Sequence, residues 1–200
     1  MMLMPSNNRK GIAHYYAGKC PGKIGWLLSP RGWSPPPHYM PYALDNGCYK
    51  GLEPEKYLYM LGQAEFCTRQ PLWVTVPDVL GDKDTTLELW HKWHKIVRGF
   101  GFKLAFVCQD GATESDVPDG VECCFIGGTD EWKLSEAHRF KGVTPLLHIG
   151  RVNTAKRLRW AENIGADSID GTGWLRGDKR QLQAFIEFFE GSNQVVMDIG

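Results

Sequence analysis

The feature that most constrains this chain is an alternation. Short apolar runs recur, each closed by a polar or glycine-containing turn, and most are followed by an amphipathic stretch. Strand-length runs alternating with helix-length ones are the pattern of α/β folds, in which crossover helices cover a parallel sheet. The strand candidates are residues 24–28 (IGWLL), 42–44 (YAL), 73–76 (WVTV), 103–107 (KLAFV), 123–126 (CCFI), 145–149 (PLLHI), 167–169 (DSI) and 194–199 (QVVMDI). Eight such runs predict a compact (β/α)8 barrel of the TIM type, near that fold's lower limit of length, with an open doubly wound sheet as the alternative. Residues 1–200 are expected to form one domain. No G-x-G-x-x-G follows the first run and no P-loop occurs, which weakens nucleotide-cofactor readings.

Helices are expected over about 54–67, 82–98 and 130–140, and from Asn153 or Thr154 to Asn163, with Gly165 placed as a C-terminal stop. A last helix reads from a capping box of Asp178 with Gln181 to Gly191, its apolar face built from Leu182, Phe185, Ile186 and Phe189. The prolines of SPRGWSPPPHYMP (29–41) forbid a helix, so the crossover there is expected to be an extended loop.

Composition narrows the function. The 23 basic and 23 acidic side chains cancel, so no overall field recruits nucleic acid or membrane, and any such binding needs a local patch. The 6 cysteines form no C-x-x-C pair and read as reduced thiols, with Cys123 and Cys124 pointing to opposite faces of a strand. There is no apolar run near the length of a membrane span, and MMLMPSNNRKG has its apolar residues ahead of its charges, the reverse of a secretory signal. The expected location is the cytoplasm.

Polar residues gather at the C-terminal ends of the strand candidates: Asp45 and Asn46, Asp78, Gln109 and Asp110, Gly127 and Gly128, His148 and Arg151, and Asp170. In a parallel barrel these ends converge on one mouth, where βα loops and strand tips place their chemistry. Three carboxylates in a partly dry cavity push each other's proton affinities apart, which suits acid, base and nucleophile roles. No set of metal ligands accompanies them. His91 and His94 are spaced like a helical metal pair but lack a third partner, and Trp90 and Val97 mark that helix as packed on the barrel.

Five segments taken in order resemble the tRNA-guanine transglycosylase superfamily: LDNGCY (44–49), VCQDG (107–111), FIGGTDEWK (125–133), LLHIGRVNTAKRL (146–158) and GADSIDGTGW (165–174). That resemblance implies a (β/α)8 barrel without the family's zinc-binding insertion, because no Cys or His follows His148. It implies Asp170 as the nucleophile toward a sugar C1′ and Asp45 as the general acid/base. Asp78, Gln109, Gly127 and Gly128, with Asn46 in place of the family's serine and His148 beside them, would bind the heterocycle.

The chain is most similar to the short zinc-free DNA-guanine transglycosylases of phages and bacterial DNA-modification clusters. This implies exchange of guanine in locally unpaired or flipped DNA for a free 7-deazaguanine of the preQ0 type, with no cofactor and with partner proteins of a modification system. Trp174, Arg176 and Arg151 are then expected to contact nucleic acid, and Trp33, Tyr49 and Trp132 to support splayed bases. The rival expectations are tRNA exchange, an N-glycosidase of nucleic acid or nucleosides, and a non-catalytic nucleic-acid-binding barrel.

Overall fold

Eight parallel strands close into a barrel in the computed structural model, which describes residues 1–6, 11–174 and 179–197. The strands are β1 (Met2–Pro5), β2 (Trp26–Leu28), β3 (Tyr42–Leu44), β4 (Val74–Thr75), β5 (Leu104–Cys108), β6 (Cys123–Ile126), β7 (Leu146–Ile149) and β8 (Ser168–Gly171). Hydrogen-bonded neighbours run β1-β8-β7-β6-β5-β4-β3-β2, and the Leu3–Ile24 and Ser6–Leu27 bridges join the two ends. Closure leaves no free sheet edge.

Helices α1 (Gly11–Lys19), α2 (Pro54–Glu65), α3 (Lys83–Arg98), α4 (Asp130–Glu136), α5 (Ala155–Asn163) and α6 (Lys179–Met197) fill most of the crossovers. Residues 29–41 cross from β2 to β3 without a helix, as their prolines require, and only a short 3-10 turn (Glu114–Asp116) lies between β5 and β6. The best-marked helix is α3. Its Asp82 cap accepts the Thr85 N–H at 3.0 Å, and Trp90, Trp93 and Val97, at i, i+3 and i+7, turn one stripe inward. Each large side chain buried there contributes about 1.5–3 kcal/mol. His94 directs Nδ1 to the Trp90 carbonyl at 2.7 Å, within its own helix. Among the described residues no helix is long and apolar enough to cross a membrane.

Strand alternation divides the apolar residues between two cores. Outward residues such as Leu3, Trp26, Leu44, Phe106, Cys124 and Ile169 pack under the helices. Inward ones, Met4, Leu27, Ala43, Trp73, Ala105, Val107, Cys123 and Phe125, fill the barrel. The register His148↔Ser168 continues this alternation, so His148 and Asp170 share the inward face with Phe125, and Asp170 forms part of the upper layer.

Two expectations are corrected. Residues 194–197 belong to α6, and the strand that completes the barrel is Met2–Pro5, with α1 after it. The MLMP run carries no β-branched or aromatic residue to mark a strand, whereas the paired valines at 195 and 196 do, so local preference misplaced both ends. Gly191 does not stop α6, because a terminating glycine works through a left-handed φ that this one does not adopt. Asp178 and Arg176 lie outside the described residues.

Candidate active site

The C-terminal ends of the strands surround a cavity of about 550 Å3, and three carboxylates line it: Asp45 after β3, Asp78 after β4 and Asp170 on β8. Each is held differently.

Asp78 sits in an amide clamp. Asn46 Nδ2 donates to its Oδ1 at 2.7 Å, and Gln109 Nε2 donates to its Oδ2 at 2.6 Å. Both amides are themselves fixed: Asn46 also donates to Val76 O and accepts the Cys48 N–H at Oδ1, while Gln109 Oε1 accepts the N–H groups of Gly81 and Gly128. Gly127 makes room for this arrangement, since a Cβ there would come within 2.8 Å of Gln109 Nε2 and 2.9 Å of Val107 Cγ1. Burial raises the proton affinity of Asp78 to about 6, against the pull of the two amides and the Arg151 guanidinium. At neutral pH it is mainly an anion.

Asp170 is held from three directions. His148 Nε2 lies 3.2 Å and the Arg151 N–H 3.0 Å from Oδ1, and Ser6 donates to Oδ2 at 3.3 Å. Desolvation lowers the proton affinity of the fully buried His148 more than Asp170 restores it. The tautomer that satisfies both ring nitrogens is Nε2–H toward Asp170, with Nδ1 accepting from Ser168 Oγ at 2.8 Å. Trp73 and Phe125 pack on the imidazole, with ring centroids 4.9 and 4.5 Å away, and seal it from below.

Asp45 has no side-chain clamp. Burial, followed by the charges of Asp78 and Asp170, raises it to about 7, and only the backbone N–H groups of Gly47 and Asn46 pull it back. It is therefore the group at the mouth that exchanges a proton near neutrality.

Arg151 supplies the positive side. It is the one non-glycine residue with positive φ among those described, at 60°, and its guanidinium donates to Gly128 O. Backbone in this region is strained by about 1–3 kcal/mol, and such strain clusters at functional sites. Lys133, which sequence reasoning passed over, steadies the turn: its buried ammonium donates to Gly150 O at 2.6 Å. Desolvation and then Arg151 lower Lys133 to about 8. In the sequence it looked like any lysine in the first turns of a helix.

The expected site residues thus sort into groups. Asp45, Asp78, Asp170, Gln109, Gly127 and Arg151 line the cavity together. Asn46 and Gln109 spend their amides on Asp78, Gly128 spends its N–H on Gln109, and His148 lies behind Asp170, so these four act mainly by positioning. Trp174 is fully buried and offers no face to a splayed base. Tyr49 is exposed at the rim, and Trp33 and Trp132 are half-buried against the outer core. Among the described residues no group of three or more His, Cys, Asp or Glu is arranged to hold a metal ion.

A (β/α)8 barrel with a carboxylate-lined mouth is the class these features define. No protein-family model and no curated protein matches the sequence. Among solved structures, the chain is similar to one described as "Native KDPGal structure", with 13% identity over 97% of each chain and a TM-score of 0.54. It is also similar to a protein assigned as a fructose-1,6-biphosphate aldolase from Coccidioides immitis, with 12% identity over 85% of this chain and 73% of that one and a TM-score of 0.53. At such identities the likeness establishes the barrel.

These neighbours overturn the guanine-transglycosylase reading, and with it exchange of guanine in DNA or tRNA and the N-glycosidase alternative. The five segments misled for a physical reason. Asp, Asn, Gln and Gly at strand ends are what any such mouth requires, because the turns need glycine and the cavity needs polar tips. Short matches in order therefore reported the barrel's repeat.

Proposed function

We propose that this barrel is an enzyme that moves protons on a small hydroxylated carbonyl compound, the step common to enolisation and aldol chemistry. Asp45 is the general base and acid, taking a proton from the carbon beside the carbonyl, or from a hydroxyl, and returning it. Asp78, mainly an anion at neutral pH, and Asp170 orient substrate hydroxyls, while Arg151 faces the oxygen on which charge develops. The observation that carries this reading is the contrast at the mouth: Asp45, with no side-chain donor, is raised to about 7, while side-chain hydrogen bonds hold both Asp78 and Asp170 in place beside it. A catalytic acid/base works best with a proton affinity near the operating pH. The aldolase assignment of one structural neighbour fits the same reaction class.

The route to the substrate carbonyl does not run through a lysine among the described lining residues, since Lys133 lies behind Gly150 with its ammonium bound to that carbonyl. The test is solvent deuterium exchange. Hydroxyaldehydes, hydroxyketones and 2-oxo acids are incubated with the protein in D2O, and loss of the proton beside the carbonyl is followed by 1H NMR. Exchange with at least one compound, abolished by Asp45→Asn, is expected. A folded protein that exchanges none of them faster than buffer, or an Asp45→Asn variant that keeps the full rate, rejects the reading.

A further inference from the structure

The peptide that joins Gly150 to Arg151 is gripped at both of its polar ends. Its carbonyl oxygen accepts the Lys133 ammonium at 2.6 Å, and its N–H donates to Asp170 Oδ1 at 3.0 Å. The two outer partners, Lys133 and Asp170, are both buried. Gly150 is pinned from its other side as well, since its own N–H donates to Ile126 O at 3.0 Å, and a Cβ there would come within 2.7 Å of Phe125 Cε1. The next N–H along the turn, that of Val152, donates to Asp170 O at 2.7 Å, so two successive N–H groups reach one residue. The lysine has an independent anchor. Thr129, which caps α4, donates its N–H to Asp110 Oδ1 at 2.6 Å, so the ammonium comes from a helix fixed to the end of β5 while the carboxyl group it reaches stands on β8.

We propose that Lys133 is a positioning residue that acts on Asp170 through the Gly150–Arg151 peptide, strengthening that N–H as a donor and fixing the turn from which Arg151 faces the mouth. This rests on the proton-transfer reading above and names the group that sets two of its residues in place. A peptide is a resonant plane, so a cation on its carbonyl oxygen draws electron density from the nitrogen and makes the N–H a better donor. The charged groups around Lys133 are Arg151 after β7, Asp170 on β8, Asp130 on α4 and Arg157 on α5. Asp130 lies 3.9 Å away, farther than Gly150 O, and is itself paired with Arg157 at 2.8 Å. Burial and then Arg151 lower the proton affinity of Lys133 to about 8, against the attraction of Asp170. A neutral amine still donates to a carbonyl, so raising the pH through this value removes the charge and keeps the contact.

The test follows the wild-type protein by NMR as the pH is raised from neutrality into the alkaline range, reading the Gly150 carbonyl 13C, the Arg151 amide 1H and 15N, and the Asp170 side-chain 13C. All three sites are expected to shift together through about pH 8, and to lose that step in Lys133→Met. A step at Gly150 that does not reach the Arg151 amide and Asp170, or no step at any of the three, makes Lys133 a structural prop and overturns the inference. The wild type alone decides this, whether or not the variant folds. In the deuterium-exchange assay at neutral pH, Lys133→Met is expected to be slower by about tenfold or more. The wild-type rate should fall again above about pH 8 in step with the shifts, and the variant should lack that fall. A folded Lys133→Met with the wild-type rate and pH profile also overturns the inference. If no compound exchanges its proton and the three signals still shift together, the proton-transfer reading falls and the hold of Lys133 on Asp170 stands.

Discussion

The two sides of the barrel mouth restrain a carboxylate by different means. On the β3–β5 side, Asp78 receives two side-chain amides from neighbouring strand ends, each locked by further bonds. On the β7–β8 side, Asp170 receives an imidazole, a hydroxyl and one backbone N–H from a strained turn. Asp45 stands with neither set and is the group left to titrate near neutrality, at about 7 against about 6 for Asp78. Burial raises both Asp45 and Asp78, and the two amides that Asp78 receives account for its lower value.

The largest effect that would break this comparison is on turnover. Asp45→Asn keeps the shape and removes the proton, so deuterium exchange is expected to fall by roughly 10²–10⁴-fold, the usual contribution of a general acid or base. In the wild type the rate should rise with pH through about 7 as Asp45 becomes able to accept a proton. A rate that climbs instead only near pH 4, or that survives the substitution, would give the proton transfer to another group.

The same residue carries the next effect, on stability. The folded state holds a proton on Asp45 up to about pH 7, whereas the unfolded chain releases it near the ordinary aspartate value of 3.8. A raised folded-state value favours folding at low pH, and that advantage is lost as pH rises through about 7. At pH 8 the wild type therefore carries a partly buried anion that Asp45→Asn lacks, and the variant should be more stable in urea unfolding by roughly 2–4 kcal/mol. At pH 5 most of that difference should vanish. A variant less stable than wild type at pH 8 would mean that Asp45 is held as firmly as its neighbours.

How much of this was legible in the sequence follows from the range of the forces. The barrel was readable because strand runs and crossover helices are local patterns, and the strand-end aspartates were readable because their place depends only on where a strand stops. Roles were harder. That Asn46 faces Asp78 rather than a ligand depends on a contact between residues 32 positions apart, and that Gln109 does so on one between residues 31 apart. Nothing local separates a positioning amide from a binding one. Arg151 gave no sign of its positive φ, and Lys133 none of its burial; their partners lie far off in sequence, Asp170 and Gly128 for Arg151 and Gly150 for Lys133. The closing strand at the start of the chain pairs with β8 and bridges to β2, and its own residues carry little strand preference.

A third measurement sharpens the amide side. Gln109→Met fills similar space but takes one donor from Asp78 and one acceptor from the Gly81 and Gly128 N–H groups. Hydrogen bonds to a charged group contribute about 1.5–3 kcal/mol, so Asp78 should titrate roughly one pH unit or more above its present value of about 6. The two abandoned N–H groups should cost about 1–3 kcal/mol of stability. 13C NMR of labelled aspartate carboxyls reads the first effect and urea unfolding the second. If the Asp78 titration stays in place while stability falls, the amide is a structural strut and the contrast with Asp45 has another origin.

The smallest expected effect falls on the opposite side. Ser6 gives Asp170 its longest hydrogen bond, 3.3 Å, while His148 and the Arg151 N–H hold the other oxygen at 3.2 and 3.0 Å. Ser6→Ala removes one weak donor from a carboxylate that keeps two others, and Ser6 lines the open cavity, so water can replace its hydroxyl. Stability should change by less than about 1 kcal/mol and the exchange rate by less than about tenfold. Gln109→Met, by contrast, strips a donor from a carboxylate that has only two side-chain donors and strands two N–H groups as well. If Ser6→Ala proved as damaging as Gln109→Met, the hydroxyl would have to act on the substrate itself, and Asp170 would then share with Asp45 the handling of the proton.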